Sequence, residues 1–166
     1  MSRKRKMKKD TENNSENNAE NNSEKNKKIK INYYFLLKLI EDKNKTENDV
    51  INTLLNNNID IMKLSNDFSH NLLIRLHRYN KENLIYFFLE NGYDINKKDL
   101  FSENTILHSF AENNRVDILY KLLKYKSLEM SKNSQNITPI EISVRRGFND
   151  FTKYLIKNLV CNIDNV

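Results

Sequence analysis

Residues 105–123 read TILHSFAENNRVDILYKLL, which is the pattern of two short helices joined by a polar turn. Thr105 can cap the first helix, and Leu107 and Phe110 follow on one side of it. Asn114 suits the left-handed backbone that often ends a helix. Four apolar residues then recur in adjacent pairs, which places them on one stripe of a second helix: Ile118, Leu119, Leu122 and Leu123. This stretch therefore predicts a helix–turn–helix hairpin.

The same pattern recurs along the chain with a period of about 34 residues. Equivalent second-helix pairs are spaced 34, 34 and 33 residues apart: Leu54-Leu55, Phe88-Leu89, Leu122-Leu123 and Leu155-Ile156. The residues predicted to face inward on the first helices are Leu73 and Leu76, Leu107 and Phe110, and Ile140 and Val144. In the last unit we expect Thr138 to cap the helix and Pro139 to take the first helical position, where a missing N–H costs nothing.

The predicted helix ends carry residues that tolerate a left-handed cap. For the first helices these residues are Asn80, Asn114 and Gly147. Asn91-Gly92, which follows a second helix, is also a β-hairpin signal. The equivalent positions, Asn57-Asn58 and Tyr125-Lys126, carry no such signal, so we interpret Gly92 as a helix cap.

This pattern resembles the ankyrin repeat, a solenoid unit of about 33 residues. The motifs that carry the resemblance are Thr105-Ile106-Leu107-His108, Thr138-Pro139-Ile140-Glu141 and Leu89-Glu90-Asn91-Gly92-Tyr93-Asp94-Ile95-Asn96. The resemblance covers roughly residues 33–160, or about four repeats. Tetratricopeptide arrays share the period, but their helices are longer and end in a proline near the repeat boundary. Here the sole proline begins a short helix, which favours the ankyrin interpretation.

The resemblance implies an all-α fold, an ankyrin-repeat solenoid of stacked helix-turn-helix units with short β-turn or hairpin loops. We expect the repeat domain at residues 31–162, after a tail at residues 1–30. The expected repeats are approximately residues 33–66, 67–100, 101–133 and 134–162. A single helix pair cannot bury its apolar face alone, so stacking of the units closes the core.

The net charge of +6 resides almost entirely in the tail. Residues 1–30 hold 10 Lys or Arg and 5 acidic residues, so the tail carries +5 and the remainder +1. Residues 11–24 form an Asn- and Glu-rich four-residue repeat that cannot bury enough surface to fold, so we predict a disordered tail. The nearly neutral body is not expected to bind nucleic acid.

The basic run at the start of the tail has three interpretations: a solubilising segment, a nuclear import signal, or a weak, salt-sensitive contact with nucleic acid. The candidate import signal comprises Arg3, Lys4, Arg5, Lys6, Lys8 and Lys9. No apolar run is long enough for a membrane span, and no apolar signal segment follows the basic run. We therefore expect an intracellular protein, cytoplasmic or nuclear, with no membrane contact.

The composition excludes several classes of site. One Cys rules out a disulfide framework and a cysteine-based zinc cage, and two Gly rule out glycine-rich phosphate loops. The three histidines, at 70, 77 and 108, have no close metal-ligand spacing. The resemblance implies that His108 supports a turn through hydrogen bonds, and we expect a partly buried, satisfied imidazole at His77. We expect no enzyme activity, no metal site and no cofactor.

The resemblance implies that another protein binds on the concave face, through loop tips and the short inner helices. The residues predicted to bind it are Arg78, Tyr79, Phe101, Ser102, Asn104, Glu112, Asn113, Arg145 and Arg146. Further tip positions are Phe68, His70, Ser134, Gln135 and Ile137. Because Tyr and Arg are enriched in binding hot spots, this set indicates a partner with an acidic or polar surface. We expect the protein itself to be a monomer. The alternative function is a nuclear regulatory or inhibitory ankyrin protein whose basic N-terminus is an import signal or contacts nucleic acid.

Overall fold

The computed structural model describes residues 32–66, 71–122 and 128–160. The predicted disordered tail with its basic run, the tip positions Phe68 and His70, and the cap position Tyr125-Lys126 lie outside these ranges. Within them, every regular element is a helix: α1 Tyr33–Glu41, α2 Glu47–Asn56, α3 Ile61–Asn66, α4 Leu72–Arg78, α5 Glu82–Glu90, α6 Ile106–Glu112, α7 Val116–Leu122, α8 Pro139–Arg145, α9 Asn149–Leu155, and a π-helical turn at Ile156–Val160.

The helices form pairs that stack in register. The pairs are α1–α2, α4–α5, α6–α7 and α8–α9, and a short turn joins the helices of each pair. The first helices pack in the order α4, α6, α8, while α2 packs on α5 and α7 packs on α9. This arrangement confirms the helical solenoid that the sequence predicts. The short helix α3, between the first and second pairs, is an element that the sequence analysis does not predict.

Helix α8 begins as its sequence predicts. The Thr138 hydroxyl accepts a hydrogen bond from the Glu141 N–H at 3.4 Å, and the Glu141 carboxylate accepts from the Thr138 N–H at 2.7 Å. Pro139 occupies the first turn, where its missing N–H needs no partner. The reciprocal bonds form a capping box, which satisfies donors at the start of the helix.

The predicted left-handed caps are confirmed. The backbone φ angle is positive at Asn80 (54°), Asn114 (52°) and Gly147 (72°), which follow the first helices, and at Gly92 (89°), which follows α5. The Tyr93 N–H donates to the Phe88 carbonyl at 2.9 Å, so Gly92 ends a helix and not a β-hairpin. These tight ends leave only three residues between α4 and α5 and between α6 and α7.

The core lies between the stacked pairs. Phe88, Phe110 and Phe151 are each 0% exposed, and the predicted inward residues Leu73, Leu76 and Leu107 are also fully buried. The prediction for Val144 is wrong: its side chain is 60% exposed, and Ser143 is buried in its place. Ser143 corresponds to Leu76 and Phe110, whereas Val144 corresponds to His77 and Ala111, which face the next unit along the stack. In the first unit Leu54 is buried but Leu55 is 54% exposed.

Hairpin-like loops project between successive pairs. In one loop the Asp99 N–H donates to the Asn104 carbonyl at 2.9 Å, and in the next the Asn133 N–H donates to the Ile137 carbonyl at 3.0 Å. The Ser134 N–H also donates to the Ser102 carbonyl at 3.0 Å, which joins the two loops. Because of these bonds the loops form one continuous wall beside the inner helices.

Candidate functional site

A groove runs along the inner helices, beneath the wall of loops. It consists of two adjoining cavities of about 640 Å³ and 310 Å³. Ser102, Asn104 and Glu112 line both cavities, so the two are parts of one groove. Buried or half-buried Ile74 and Ile142 contribute apolar floor, while most other lining side chains are polar or charged. The lining of the groove therefore combines polar and charged side chains with apolar surface from Ile74, Ile137 and Ile142.

Seven of the nine predicted partner-binding residues line this groove: Arg78, Tyr79, Ser102, Asn104, Glu112, Arg145 and Arg146. The two others lie elsewhere. Phe101 is 72% exposed at the tip of the loop. Asn113 instead lines a neighbouring cavity of about 370 Å³ with His77 and Arg115. The further tip positions Ser134, Gln135 and Ile137 also line the groove.

Ion pairing separates the charges of the groove into two groups. Arg75 donates to the Glu41 carboxylate at 2.9 Å, and the Tyr79 hydroxyl donates to the same carboxylate oxygen at 2.9 Å. These hydrogen bonds lower the pKa of Glu41. By contrast, Arg78 and Arg145 form no ion pair with any other described residue. The structure thus leaves some cations of the groove open to a ligand and engages others internally.

The ion pair between Glu41 and Arg75 is a feature that the sequence did not predict. Glu41 lies at the end of α1, 34 residues before Arg75, so a search within one unit does not connect them. Their spacing of one repeat is the signal that could have linked the two charges. Tyr79, predicted as a binding residue, is 42% exposed although its hydroxyl is engaged, so its ring still faces the groove.

The loop wall owes its shape to Asp99, another residue that the sequence analysis did not single out. Its carboxylate accepts hydrogen bonds from the Ser102 N–H at 3.1 Å and the Ser102 hydroxyl at 3.0 Å. It also accepts from the Asn71 N–H at 3.4 Å, which connects the loop to the start of α4. Bonds of this kind, from a turn carboxylate to following backbone, hold a turn in one conformation. Ser102 is therefore presented to the groove from a braced loop.

His108 has the structural role that the resemblance implied. Its Nδ1 atom accepts a hydrogen bond from the Thr105 N–H at 3.1 Å, so the proton of the neutral ring resides on Nε2. Nε2 lies 3.1 Å from the Ile137 carbonyl, to which it donates. Burial lowers the pKa of His108, which keeps the ring neutral. His108 therefore joins the third unit to the loop of the fourth.

His77 differs from its expectation. The ring is 5% exposed and packs edge-on against Phe110, with 5.0 Å between ring centroids. Its Nδ1 atom is buried and has no hydrogen-bond partner among the described residues, so the imidazole is not satisfied as expected. Burial, and then the nearby Arg115 charge, lower the pKa of His77. Its contribution is packing between the second and third units.

Charged side chains also connect the second helices on the other side of the stack. The Glu47 carboxylate accepts from the Leu84 N–H at 2.9 Å, at the start of α5. Arg115 forms ion pairs with Glu82 and with Asp117. The Asp117 hydrogen bonds raise the pKa of Arg115 further above its ordinary value. These contacts engage Arg115 in ion pairs, unlike Arg78 and Arg145 of the groove.

Other kinds of site are not found in the described ranges. No group of three or more His, Cys, Asp or Glu side chains is placed there to hold a metal ion. No helix in the same ranges is long and apolar enough to cross a membrane.

The comparisons with known proteins agree with this geometry. A family model described as ankyrin repeats, in three copies, matches residues 72–165, which is more than half of the chain. None of the curated proteins matches the chain. Ankyrin repeats are in general protein–protein interaction modules and are typically not enzymes. The predicted first repeat lies outside the match and rests on helices α1 and α2. The chain therefore belongs to the ankyrin repeat family.

Proposed function

We propose that this protein binds another protein through the groove formed by its inner helices and loop wall. The observation that supports this function most directly is the exposed pair Arg145 and Arg146, which line the groove and form no ion pair with another described residue. Cations left unpaired on a folded surface are available to an anionic or polar partner at little desolvation cost. The partner surface that fits them is acidic or polar.

A double charge reversal tests this proposal. The variant Arg145→Glu with Arg146→Glu changes only exposed side chains, so it should keep the melting temperature within about 2 °C. It should lose the partners that the full-length chain captures from cells, as measured by quantitative mass spectrometry. Capture that is unchanged by the double variant contradicts the groove as the binding surface. A melting temperature that falls with binding shows instead that the arginines are structural.

A matched control separates the groove from the rest of the surface. Lys153 and Lys157 lie exposed on and just after α9 and line a cavity outside the groove. The variant Lys153→Glu with Lys157→Glu makes the same change in net charge as the groove variant. Partners that disappear with the groove variant but persist with this control bind at the groove. Partners that disappear with both respond to net charge alone.

The basic run of the tail supports a second proposal, in which the protein acts in the nucleus as a regulatory ankyrin protein. Six of the seven residues from Arg3 to Lys9 are Lys or Arg, a composition that import receptors read. Deleting residues 1–9 should abolish nuclear accumulation of the full-length chain in cells. A distribution unchanged by the deletion overturns this proposal and leaves the groove proposal intact.

A further inference from the structure

Three charges cross the groove in the order positive, negative, positive. Arg78, Glu112 and Arg145 are the last residues of α4, α6 and α8, and they follow one another at spacings of 34 and 33 residues. We call these three residues the charged row. All three line the groove, with Glu112 at the junction of its two cavities. No ion pair or hydrogen bond joins any of them to another described side chain.

The fold gives no reason for a carboxylate at position 112. The C-terminal end of a helix carries partial negative charge, which favours Arg78 and Arg145 in their places and disfavours Glu112 in its place. Glu112 lines the groove and forms no ion pair or hydrogen bond with another described side chain, so its carboxylate is available to a basic group of a ligand. The charge order of the row is therefore information about that ligand.

The spacing of the row fits an extended chain of a particular kind. Packed helices lie about 8–10 Å apart, so we expect successive residues of the row to lie at about that distance from one another. A polyproline II segment has three residues per turn and advances about 3.1 Å per residue, so residues i, i+3 and i+6 share one face at intervals of about 9 Å. A β-strand would direct residue i+3 to the opposite face.

A helical ligand has a similar spacing along its axis. Residues seven apart on a helix share a face at intervals of about 10 Å. A helix would therefore present its charges at i, i+7 and i+14, whereas a polyproline II segment presents them at i, i+3 and i+6. The spacing of charges in a bound peptide distinguishes the two conformations.

We propose that the groove binds an extended, polyproline II-like peptide segment with acidic side chains at positions i and i+6 and a basic side chain at i+3. The acidic residues meet Arg78 and Arg145, and the basic residue meets Glu112. This inference rests on the proposed function, because it specifies the partner of the same groove. Burial of like charges against one another would reject segments with the opposite order.

Selection from a random peptide library tests the charge order. The full-length chain is used to select from phage-displayed random 12-residue peptides, and the selected sequences are aligned. The expected consensus has Asp or Glu at i and i+6 and Lys or Arg at i+3. A synthetic peptide with that consensus should bind the Glu112→Arg variant at least about tenfold more weakly. Changing its central Lys or Arg to Glu should restore binding to that variant.

Glu90→Arg is the matched control. Glu90 is the exposed last residue of α5, so the substitution makes the same charge change at another helix end, outside the groove. This control should bind the consensus peptide as the unchanged chain does. Circular dichroism should show Glu112→Arg to be at least as stable as the unchanged chain, because a cation suits that helix end.

The outcomes separate this inference from the proposed function. Selected peptides that lose binding to the Arg145→Glu, Arg146→Glu variant support the groove as the binding surface. If such peptides carry their charges seven residues apart, or show no preference for Lys or Arg at i+3, they overturn the inference. Peptides whose binding is unchanged by every groove variant, or a selection that yields no peptide, overturn this inference alone, because the partner-capture experiment decides the proposed function. If the Glu112→Arg variant still prefers Lys or Arg at position i+3, Glu112 is not the cause of that preference and the inference is wrong.

Discussion

The Nε2 atom of His108 lies 3.1 Å from the carbonyl oxygen of Ile137, and this contact joins two successive repeats through a fully buried side chain. The same ring accepts a hydrogen bond from the Thr105 N–H through Nδ1. Both ring nitrogens are therefore engaged, one within a repeat and one between repeats. A single side chain fixes the start of α6 and the position of the next loop.

His108→Ala should lower the free energy of unfolding by about 3 kcal/mol. The substitution leaves a buried backbone donor and acceptor without partners and opens a cavity, and each effect destabilises. Urea unfolding monitored by circular dichroism measures the loss. Asn113→Ala is the control, because Asn113 is exposed and its side chain donates to the Ser109 carbonyl of the preceding helix α6, so it should cost less than about 1 kcal/mol. Equal unfolding midpoints for the two variants would contradict the structural role.

Stability should fall as the pH drops below about 6.5. Burial lowers the pKa of both His77 and His108 in the folded chain. Between the unfolded pKa, near 6.5, and the lowered folded pKa, the unfolded state binds more protons, so stability decreases as the pH falls through this window. The change should be visible in urea midpoints measured from pH 7.5 to pH 5.5.

His77→Ala identifies the source of this pH dependence. Removal of one of the two buried rings should make the slope of stability against pH distinctly shallower, even though the variant loses packing against Phe110. The free energy of unfolding should decline further below about pH 4.5 in the unchanged chain and in the variant. The reason is that hydrogen bonds lower the pKa of Glu41 and Asp117 in the folded state. A slope that is flat between pH 7.5 and 5.5 would refute the histidine contribution.

Two phenylalanines nine residues apart should behave oppositely. Phe101 is 72% exposed, so Phe101→Ala should change the free energy of unfolding by less than about 0.5 kcal/mol. Phe110 is 0% exposed, and Phe110→Ala should cost about 3–5 kcal/mol. Thermal and urea unfolding distinguish them. If Phe101→Ala weakens partner capture at unchanged stability, the loop tip adds an apolar contact to the groove.

Equivalent positions in the third and fourth units should differ in their tolerance of charge. Ala111 is fully buried between units, whereas Val144, one repeat later, is 60% exposed. Ala111→Lys should unfold the chain or cost more than about 3 kcal/mol, while Val144→Lys should cost less than about 0.5 kcal/mol. The melting temperatures of both variants provide the test. A comparable loss for Val144→Lys would mean that its side chain is covered in solution.

The sequence was most informative where conformation depends on near neighbours. Thr138 and Pro139 begin α8, and Asn80, Asn114 and Gly147 take the left-handed backbone, as predicted. These features follow from side-chain oxygens, a missing N–H and the tolerance of Asn and Gly for positive φ, all of which act within one helical turn. The apolar period then placed most of the core correctly.

The predictions were wrong or incomplete where the burial or ion pairing of a side chain depends on residues from another unit. Valine is typical of a protein core, but the Val144 side chain points along the stack, away from the preceding unit, and is exposed in the last unit. The place of a residue within the repeat predicts that it lines the groove, but it does not predict which groove residues form ion pairs. Glu41 engages Arg75 and Tyr79 from another unit.

The sequence by itself determined the helix pairs, their period and their ends, because local dihedral preferences and apolar spacing depend on residues that are close together in the sequence. The tertiary structure alone decided which charges remain open in the groove and which apolar side chains are covered. Ion pairing and burial depend on side chains that stacking brings together from about one repeat away, so these properties exist only once the units are assembled.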